Sequence, residues 1–219
     1  MLASPSADTD CAPFGLLGRK LGHSWSPQIH ASLGSVPYET HELEPDELEP
    51  FVRGRAWRGL NVTTPYKTDV IPLADELSPA ARRLGASNTL VRREDGSIFA
   101  DNTDLAGFAW MLRRFCVRRL GLTDARDLLR GNKALVLGSG GASRAVRAAL
   151  EDAGARVVVI SRRGSETYET LAERHADAVL VVNATPLGMY PNMDASPVDE
   201  KTLAGLTALR GVLDIVYNP

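Results

Sequence analysis

Lys67 is the residue whose type and position most clearly suit acid–base chemistry. It closes the run 61–67 (NVTTPYK), in which Thr64 can cap a helix and Pro65 suits the first helical position. The pattern predicts Lys67 in the first turn of a helix, where the peptide dipoles would lower the pKa of its ammonium group. A lysine with a lowered pKa can donate or accept a proton in a reaction. The alternative is a solvated lysine at a helix start.

A glycine-rich turn in the second half predicts a phosphate-binding loop. The run 138–143 (GSGGAS) stands between an apolar strand at 133–137 and a helix that ends at Gly154. Glycines let the backbone approach a pyrophosphate, and the following helix start supplies N–H groups and a positive dipole. Ser143 replaces the third glycine of the usual pattern, so the flanking strand and helix carry the prediction. An ordinary glycine turn is the alternative reading of Gly138, Ser139, Gly140, Gly141 and Ala142.

The end of the next strand indicates which dinucleotide would bind. An NAD-binding fold carries an acid about 20 residues after the first glycine, for the ribose 2′-hydroxyl. Here the strand at 156–160 is followed by Ser161, Arg162 and Arg163. Guanidinium groups suit a 2′-phosphate because their planar fork makes paired, charged hydrogen bonds. The sequence therefore favours NADP, and the alternative is a solvated basic turn that does not contact the adenosine.

Polar side chains in the first half follow predicted strand ends. Ser24 and Ser26 stand beside a helix start, Asn88 follows a glycine turn, and Asp104 opens a long helix. Ligands of open α/β sheets bind at the carboxyl ends of strands, where Lys67 and Asp104 are expected. A carboxylate near Lys67 would raise the lysine pKa, so the two groups would titrate as a coupled pair. Taken singly, Ser26 and Asp104 read as ordinary helix caps.

Strand and helix signals alternate along the chain, which predicts an α/β protein. The first half should form an α/β domain with a mainly parallel sheet, and the second a Rossmann-type, doubly wound sheet. We expect a substrate-binding domain at 1–107 and an NADP-binding domain at 108–219, with a polar connector at 121–131 and a helix from Ser165 or Thr167 to about His175.

Composition excludes several other classes. The 219 residues are 44% hydrophobic and 24% charged, which is ordinary for a globular chain, and no apolar stretch approaches the length of a membrane helix. Cys11 and Cys116 match no metal or redox spacing, so we expect a reduced, cytoplasmic protein without a metal site. Residues 1–107 carry a balance of −5 and residues 108–219 one of +3. The second half suits a phosphate-bearing ligand, whereas neither half is basic enough for nucleic acid.

Seven separated motifs together resemble the shikimate dehydrogenase family. They occur in the family's order from about Phe14 to Pro219, and they are 22–27 (GHSWSP), 61–67 (NVTTPYK), 85–89 (GASNT), 102–104 (NTD), 138–143 (GSGGAS), 183–189 (NATPLGM) and 214–219 (DIVYNP). The resemblance implies an NADP-linked, reversible reduction of 3-dehydroshikimate to shikimate in aromatic amino acid biosynthesis. It also implies no membrane partner, and it leaves a homodimer open.

The resemblance assigns roles to individual residues. Lys67 matches the family's catalytic lysine, and Asp104 matches the aspartate beside it. Five further residues match substrate-binding positions: Ser24, Ser26, Thr63, Asn88 and Tyr217. The cofactor positions are Gly138, Ser139, Gly140, Gly141, Ala142, Ser161, Arg162 and Arg163, with Ile215 and the loop 183–189 near the nicotinamide. The family commonly reads Asn-Arg-Thr where this chain has Ser161-Arg162-Arg163, so only Arg162 keeps the usual residue.

The chain ends at Pro219, directly after a predicted strand, whereas the family continues with a strand and two helices that carry a substrate-binding glutamine. We therefore expect a chain that lacks the family's C-terminal segment, with an incomplete second domain. Two alternatives stay open from the sequence. One is a quinate/shikimate dehydrogenase that uses NAD, and the other is a shortened relative that binds NADP or shikimate without turnover.

Overall fold

Two compact α/β units make up the protein, Met1–Thr103 and Asp104–Pro219. The computed structural model describes residues 12–22, 24–35, 37–54, 57–189 and 193–216. Each unit contains its own sheet, with six strands in the first unit and four in the second among these residues.

The first unit is built on a mixed, mostly parallel sheet with the strand order β2-β1-β3-β5-β6-β4. Strand β1 pairs in parallel with β2 and β3, and β4 with β6, whereas β5 runs antiparallel to β3 and β6. The strands are Phe14–Gly18 (β1), Tyr38–Glu42 (β2), Gly59–Val62 (β3), Glu76–Leu77 (β4), Thr89–Arg92 (β5) and Ile98–Asp101 (β6). Because β5 is reversed, its amino end lies at the same sheet edge as the carboxyl ends of β3 and β6.

Three helices and a 3₁₀ turn complete the first unit: Ser26–Leu33 (α1), Leu48–Gly54 (α2), Pro79–Leu84 (α3) and the turn Ile71–Leu73. Helix α1 ends at Gly34, whose φ of 80° lies in the left-handed region that glycine adopts readily. Helix α3 begins after Ser78, whose hydroxyl accepts a hydrogen bond from Ala81 N and so caps the helix. The core of the unit includes Trp57, Tyr66, Leu60 and Leu90, each at most 2% exposed.

The second unit has a fully parallel sheet with the order β10-β9-β7-β8. Its strands are Lys133–Leu137 (β7), Arg156–Ile160 (β8), Ala178–Asn183 (β9) and Gly211–Asp214 (β10). Its helices are Asp104–Leu120 (α4), Arg126–Leu129 (α5), Gly141–Asp152 (α6), Leu171–Arg174 (α7) and Glu200–Gly205 (α8). Strand β7 is buried from Ala134 to Leu137, as expected for a central strand covered on both faces.

The predicted helix around Lys67 is wrong. Residues 64–70 form consecutive turns, and the Thr64–Pro65 peptide bond is cis. In a helix, Ile71 N would donate to Lys67 O; instead Ile71 N bonds Thr68 O, and Lys67 O accepts from Ser87 N at 2.7 Å. A tertiary hydrogen bond therefore replaces the intrahelical one. Lys67 therefore does not lie in the first turn of a helix, where the sequence pattern had predicted it.

Two other predictions needed correction, both in the second unit. The expected polar connector at 121–131 contains helix α5, whose Leu128 and Leu129 are buried in the core beneath α4 and α6. The expected helix from Ser165 or Thr167 begins only at Leu171, because Ser161 N donates to Glu166 O and closes a turn in between.

No helix in the described ranges combines the length and apolar character needed to cross a membrane. Within the same ranges, no three His, Cys, Asp or Glu side chains gather closely enough to hold a metal ion.

Candidate active site

Lys67 is held in place from both sides by neighbours in the first unit. Tyr66, which is 1% exposed, donates its hydroxyl hydrogen bond to Leu43 O, and burial raises the pKa of this phenol. On the other side, the backbone of Lys67 accepts from Ser87 N at 2.7 Å. The Lys67 side chain itself is half-buried. The turn therefore presents the lysine from a backbone anchored at two points.

Ser87 connects this turn to the sheet. The residue is fully buried, and its hydroxyl lies 2.8 Å from Thr89 O and 2.9 Å from Asp101 O. It thereby joins the amino end of β5 to the carboxyl end of β6, while its own N–H holds Lys67. The motif 85–89 was recognised from the sequence, but the structural role of Ser87 was not, because residue type alone does not show that a serine is buried.

The two serine hydroxyls predicted to bind substrate lie together. Ser24 Oγ donates to Ser26 Oγ at 3.0 Å, and Ser26 N donates to Ser24 Oγ at 3.2 Å. Ser26 is the first residue of α1, and Trp25 occupies the cap position, so the helix-cap alternative for Ser26 does not hold. The pair offers two adjacent hydroxyl groups beside a helix start, an arrangement that suits an anionic ligand.

Three of the four remaining predicted substrate residues lie among the described residues. Thr63 directly follows β3, and its backbone is bound to Leu17 O at 2.9 Å. Asn88 lies at the same sheet edge, where its amide donates to Thr103 Oγ1 at 2.8 Å and accepts from Thr103 N at 3.0 Å. Asp104 is the half-buried first residue of α4 and opens the second unit. Tyr217 lies outside the described residues.

In the second unit, the glycine turn has the backbone that a tight phosphate loop requires. Gly138 has a φ of +98°, and an added Cβ would lie 3.0 Å from Thr185 Cγ2 and 3.1 Å from Ala184 O. Only glycine fits there without strain. Gly140 is different, since an added Cβ would meet nothing within 4 Å. Protein atoms therefore fill the space beside Gly138, whereas the space beside Gly140, the residue before helix α6, is empty of protein atoms.

A cavity of about 600 Å³ lies at the carboxyl ends of β7, β8 and β9. The strand order reverses at β7, with β8 on one side and β9 on the other, which is where doubly wound sheets bind ligands. Its walls combine the three segments that follow these strands with two outer residues: Gly138, Ser139, Gly140, Ser161, Arg162, Arg163, Tyr168, Ala184, Thr185, Pro186, Leu187, Ser196 and Pro197. Burial raises the pKa of Tyr168, although Arg162 opposes the shift.

Three residues of this cavity were not predicted from the sequence: Tyr168, Ser196 and Pro197. The loop 183–189 was predicted to lie near the nicotinamide, but the buried residue in it that shapes one wall, a hydrogen-bonding hub, was not. The hub is Asn183, which is 4% exposed; its amide nitrogen lies 3.1 and 3.2 Å from the two carboxylate oxygens of Asp214. Its amide oxygen accepts from Thr185 N at 3.0 Å and from Thr185 Oγ1 at 2.7 Å. The run 183–189 was the available signal, but the contacts depend on β9 and β10 being neighbours.

The residues of the cavity fit an NADP-type cofactor. A helix start supplies backbone N–H groups that have no acceptors within the helix, and the first turn of α6 contains no acidic residue. Arg162 and Arg163 are exposed beside the end of β8 and supply the charge that a 2′-phosphate requires. Ile215 follows β10 and is bound through its N–H to Asn183 O at 3.2 Å.

Comparison with known proteins agrees with this division of the site. The profile of the family described as "Shikimate dehydrogenase substrate binding domain" matches residues 16–90. A Clostridium beijerinckii protein named shikimate dehydrogenase (NADP(+)) is 35% identical over 94% of this chain and 78% of its own length. A Methanopyrus kandleri protein of the same name is 37% identical over 100% of this chain and 82% of its own.

Solved structures show the same similarity at the level of the fold. Shikimate 5-dehydrogenase from Thermus thermophilus, solved in complex with NADP(H) and shikimate, aligns with a TM-score of 0.75 and 34% identity. That alignment covers 94% of this chain and 79% of the Thermus chain. A chorismate mutase/shikimate 5-dehydrogenase fusion protein from Clostridium acetobutylicum aligns with a TM-score of 0.78 and 35% identity, over 95% and 78% of the two chains. With relatives this similar over most of both lengths, the chain belongs to the shikimate dehydrogenase family.

Proposed function

We propose that this protein catalyses the reversible, NADP-dependent reduction of 3-dehydroshikimate to shikimate, a step of aromatic amino acid biosynthesis. The observation that carries the proposal is the similarity to proteins named shikimate dehydrogenase (NADP(+)), which covers 94% to 100% of this chain and so extends over both units. The lysine turn and serine pair of the first unit and the glycine turn and arginine pair of the second supply the groups that the reaction needs.

Lys67 is the proton donor in the direction of ketone reduction. NADPH supplies a hydride to the ring carbonyl carbon when it is bound. The carbonyl oxygen then gains negative charge, and the Lys67 ammonium is the group placed to protonate it. The anchored backbone of Lys67 fixes the base of its side chain, which reduces the entropy lost when the donor reaches a reactive geometry. In the reverse direction Lys67 accepts the proton from the shikimate hydroxyl.

Asp104 orients the Lys67 ammonium and the ring hydroxyls in this proposal. A carboxylate offers acceptor oxygens to an ammonium group and to hydroxyl groups alike, so one side chain can orient both. Asp104 is the first residue of α4.

Hydroxyl and amide groups of the first unit bind the rest of the substrate. Ser24 and Ser26 hold the carboxylate, since two adjacent hydroxyls beside a helix start can bind an anion without a full opposing charge. Thr63 and Asn88 contact the ring hydroxyls, together with Tyr217, which belongs to the second unit.

The second unit holds the cofactor. The backbone from Gly138 to Ala142 binds the pyrophosphate, and Ser161, Arg162 and Arg163 bind the adenosine 2′-phosphate. Ile215 and the loop 183–189 line the nicotinamide side of the site, with the loop shaped by Asn183. Arginine at the end of β8, in place of an acid, supports NADP over NAD.

A direct assay tests the proposal. Purified protein is given shikimate or quinate with NADP or NAD, and nicotinamide absorbance is followed in both directions. We expect the shikimate–NADP pair to give the highest kcat/KM. Absence of turnover with every pair, while NADPH and shikimate still bind, would favour the binding-only alternative over catalysis.

An NAD-linked quinate dehydrogenase is the second candidate. A quinate dehydrogenase from Corynebacterium glutamicum, solved in complex with NAD, aligns with a TM-score of 0.73 and 28% identity. Arg162 and Arg163 argue against NAD here, because nothing in NAD neutralises two guanidinium groups at the ribose 2′ position. A higher kcat/KM for quinate with NAD would reverse this order.

A homodimer and a cytoplasmic location stay predictions, which sedimentation and cell fractionation would test.

A further inference from the structure

The turn that carries Arg162 and Arg163 is closed on itself by backbone hydrogen bonds. Ser161 N donates to Glu166 O at 3.1 Å, and Gly164 N donates to Ser161 O at 3.4 Å. Gly164 stands close to Ser161, because an added Cβ at Gly164 would lie 2.6 Å from Ser161 Oγ. Both arginines therefore project from a short, compact loop between Ser161 and Glu166.

Glu166 ties the far end of this loop to helix α7. Its Oε2 atom lies 2.8 Å from Arg174 Nη1 and 3.3 Å from His175 Nε2. His175 is 6% exposed, and its Nδ1 atom is buried without a hydrogen-bond partner among the described residues, so Glu166 is its polar contact. The Glu166 side chain is 21% exposed and that of Arg174 is 53% exposed, so the contact is largely desolvated on the His175 side and open to solvent on the Arg174 side.

The near end of the loop is fixed as well. Ile160 precedes the loop, is fully buried, and accepts a hydrogen bond from Gly138 N at 2.8 Å. Ile160 and Leu171 belong to the same core cluster, so both the strand before the loop and the helix after it pack on one apolar base. The Glu166 side chain joins the far end of the loop to Arg174 and His175, which follow Leu171 in the chain.

We propose that Glu166 is a positioning residue, which holds the arginine turn in the shape that binds the 2′-phosphate of NADP and thereby sets the preference for NADP over NAD. The inference rests on the proposed function. Without the contact, the arginines would have to be ordered at the moment of binding, and that ordering weakens affinity. Glu166 acts through the loop and does not touch the phosphate.

The direction in which Glu166→Gln changes the affinity for a 2′-phosphate ligand distinguishes this role from a simple charge effect. Glu166→Gln removes a negative charge next to an anion site, so charge alone would tighten phosphate binding. The positioning role predicts the opposite, a loss of about threefold to tenfold in affinity for adenosine 2′,5′-bisphosphate, the range expected when side chains must be ordered on binding. Titration calorimetry with the full chain measures this, and 5′-AMP serves as the probe without a 2′-phosphate, whose affinity should not change.

Glu173→Gln is the matched control, because Glu173 is an exposed carboxylate of α7, the helix that Glu166 contacts, and its loss changes the charge equally. This variant should bind both probes as the unchanged protein does. Glu166→Asp keeps the charge but shortens the side chain, so charge alone predicts no change, whereas the positioning role predicts a lower ratio of the two affinities. This variant keeps the test open if Glu166→Gln folds poorly. In steady-state assays, Glu166→Gln should raise KM for NADPH with kcat unchanged.

Two results are decisive against the proposal. If the unchanged protein binds the two probes equally, the assignment to NADP fails, and the role of Glu166 fails with it. If the unchanged protein discriminates and Glu166→Gln and Glu166→Asp keep the same ratio or raise it, the NADP assignment stands and the role of Glu166 alone is overturned.

Discussion

The two units present their chemical groups to ligands by different means. In the first unit the groups are side chains on segments held by hydrogen bonds. The Lys67 turn, for example, is anchored by the Tyr66 hydroxyl on Leu43 O and by Ser87 N on Lys67 O. In the second unit the glycine turn works through its backbone, so the absence of a side chain at Gly138 is what matters. Substitutions in the first unit should therefore impair function by removing side-chain groups that contact the ligand. Substitutions in the glycine turn should impair it by adding side-chain atoms that keep the ligand away from the backbone.

The largest expected effect is on chemistry in the first unit. Lys67→Ala removes the proton donor, so kcat should fall by about 10²–10⁴, the usual contribution of a positioned acid or base. Binding of NADPH by the second unit should not change, which fluorescence titration checks. Lys201→Ala, at an exposed lysine of α8, is the control and should keep full activity. Full turnover by Lys67→Ala would remove the lysine from the mechanism.

Adding one methyl group tests the backbone role of the glycine turn. Gly138→Ala forces a non-glycine residue to a φ of +98° and crowds Ala184, so we expect about 1–3 kcal/mol of strain and a loss of NADPH affinity. Gly140→Ala is the matched variant, since its Cβ meets no protein atom within 4 Å. Its free energy of unfolding should stay close to that of the unchanged protein, while NADPH affinity still falls.

These two glycine variants sharpen the comparison in one experiment. Urea unfolding reports the strain, and calorimetric titration with NADPH reports the approach of the phosphate. Equal stability of both variants would mean that Gly138 is not required by the fold, and unchanged NADPH affinity in Gly140→Ala would mean that the cofactor does not approach this backbone.

Removal of a buried hydroxyl tests how firmly the first unit is tied together. Ser87→Ala leaves Thr89 O and Asp101 O without the hydroxyl, at a cost of about 1–3 kcal/mol in the free energy of unfolding. The kcat should fall with it, because the Lys67 turn is anchored to the same residue. Ser32→Ala is a suitable control, since the Ser32 hydroxyl bonds Gln28 O on an exposed face of α1. Similar unfolding energies for the two variants would contradict the role given to Ser87.

The smallest expected effect is a pH dependence confined to the first unit. Burial lowers the pKa of His41 below its ordinary value of 6.5, although Glu39 opposes the shift. Between the lowered pKa and 6.5 the unfolded chain binds more protons than the folded protein, so stability decreases as pH falls below about 6.5. Urea midpoints at a series of pH values measure this slope. His41→Leu should flatten it, and a slope that survives the substitution would assign it to other groups.

The sequence predicted most of the fold because each unit has strong local signals. Strand β7, for example, is an unbroken apolar run, and α1 carries a proline near its start and a glycine after its end. The predictions failed where a distant segment changed a local preference. Thr64 and Pro65 form a helix-start pattern, but Ser87 takes the carbonyl that such a helix would need at Lys67. Likewise, Glu166 closes a turn where continuous helix was expected.

The sequence by itself determined the family, the order of the motifs and the residue types available for chemistry, since these depend only on identity and spacing. Only the tertiary structure decided how Lys67 is held, that Ser87 and Asn183 are buried hubs, and that Glu166 joins the arginine turn to α7. These contacts join residues of different segments, which become neighbours only in the folded chain. Periodicity and spacing cannot report them, because they arise only when the sheets bring strand ends together.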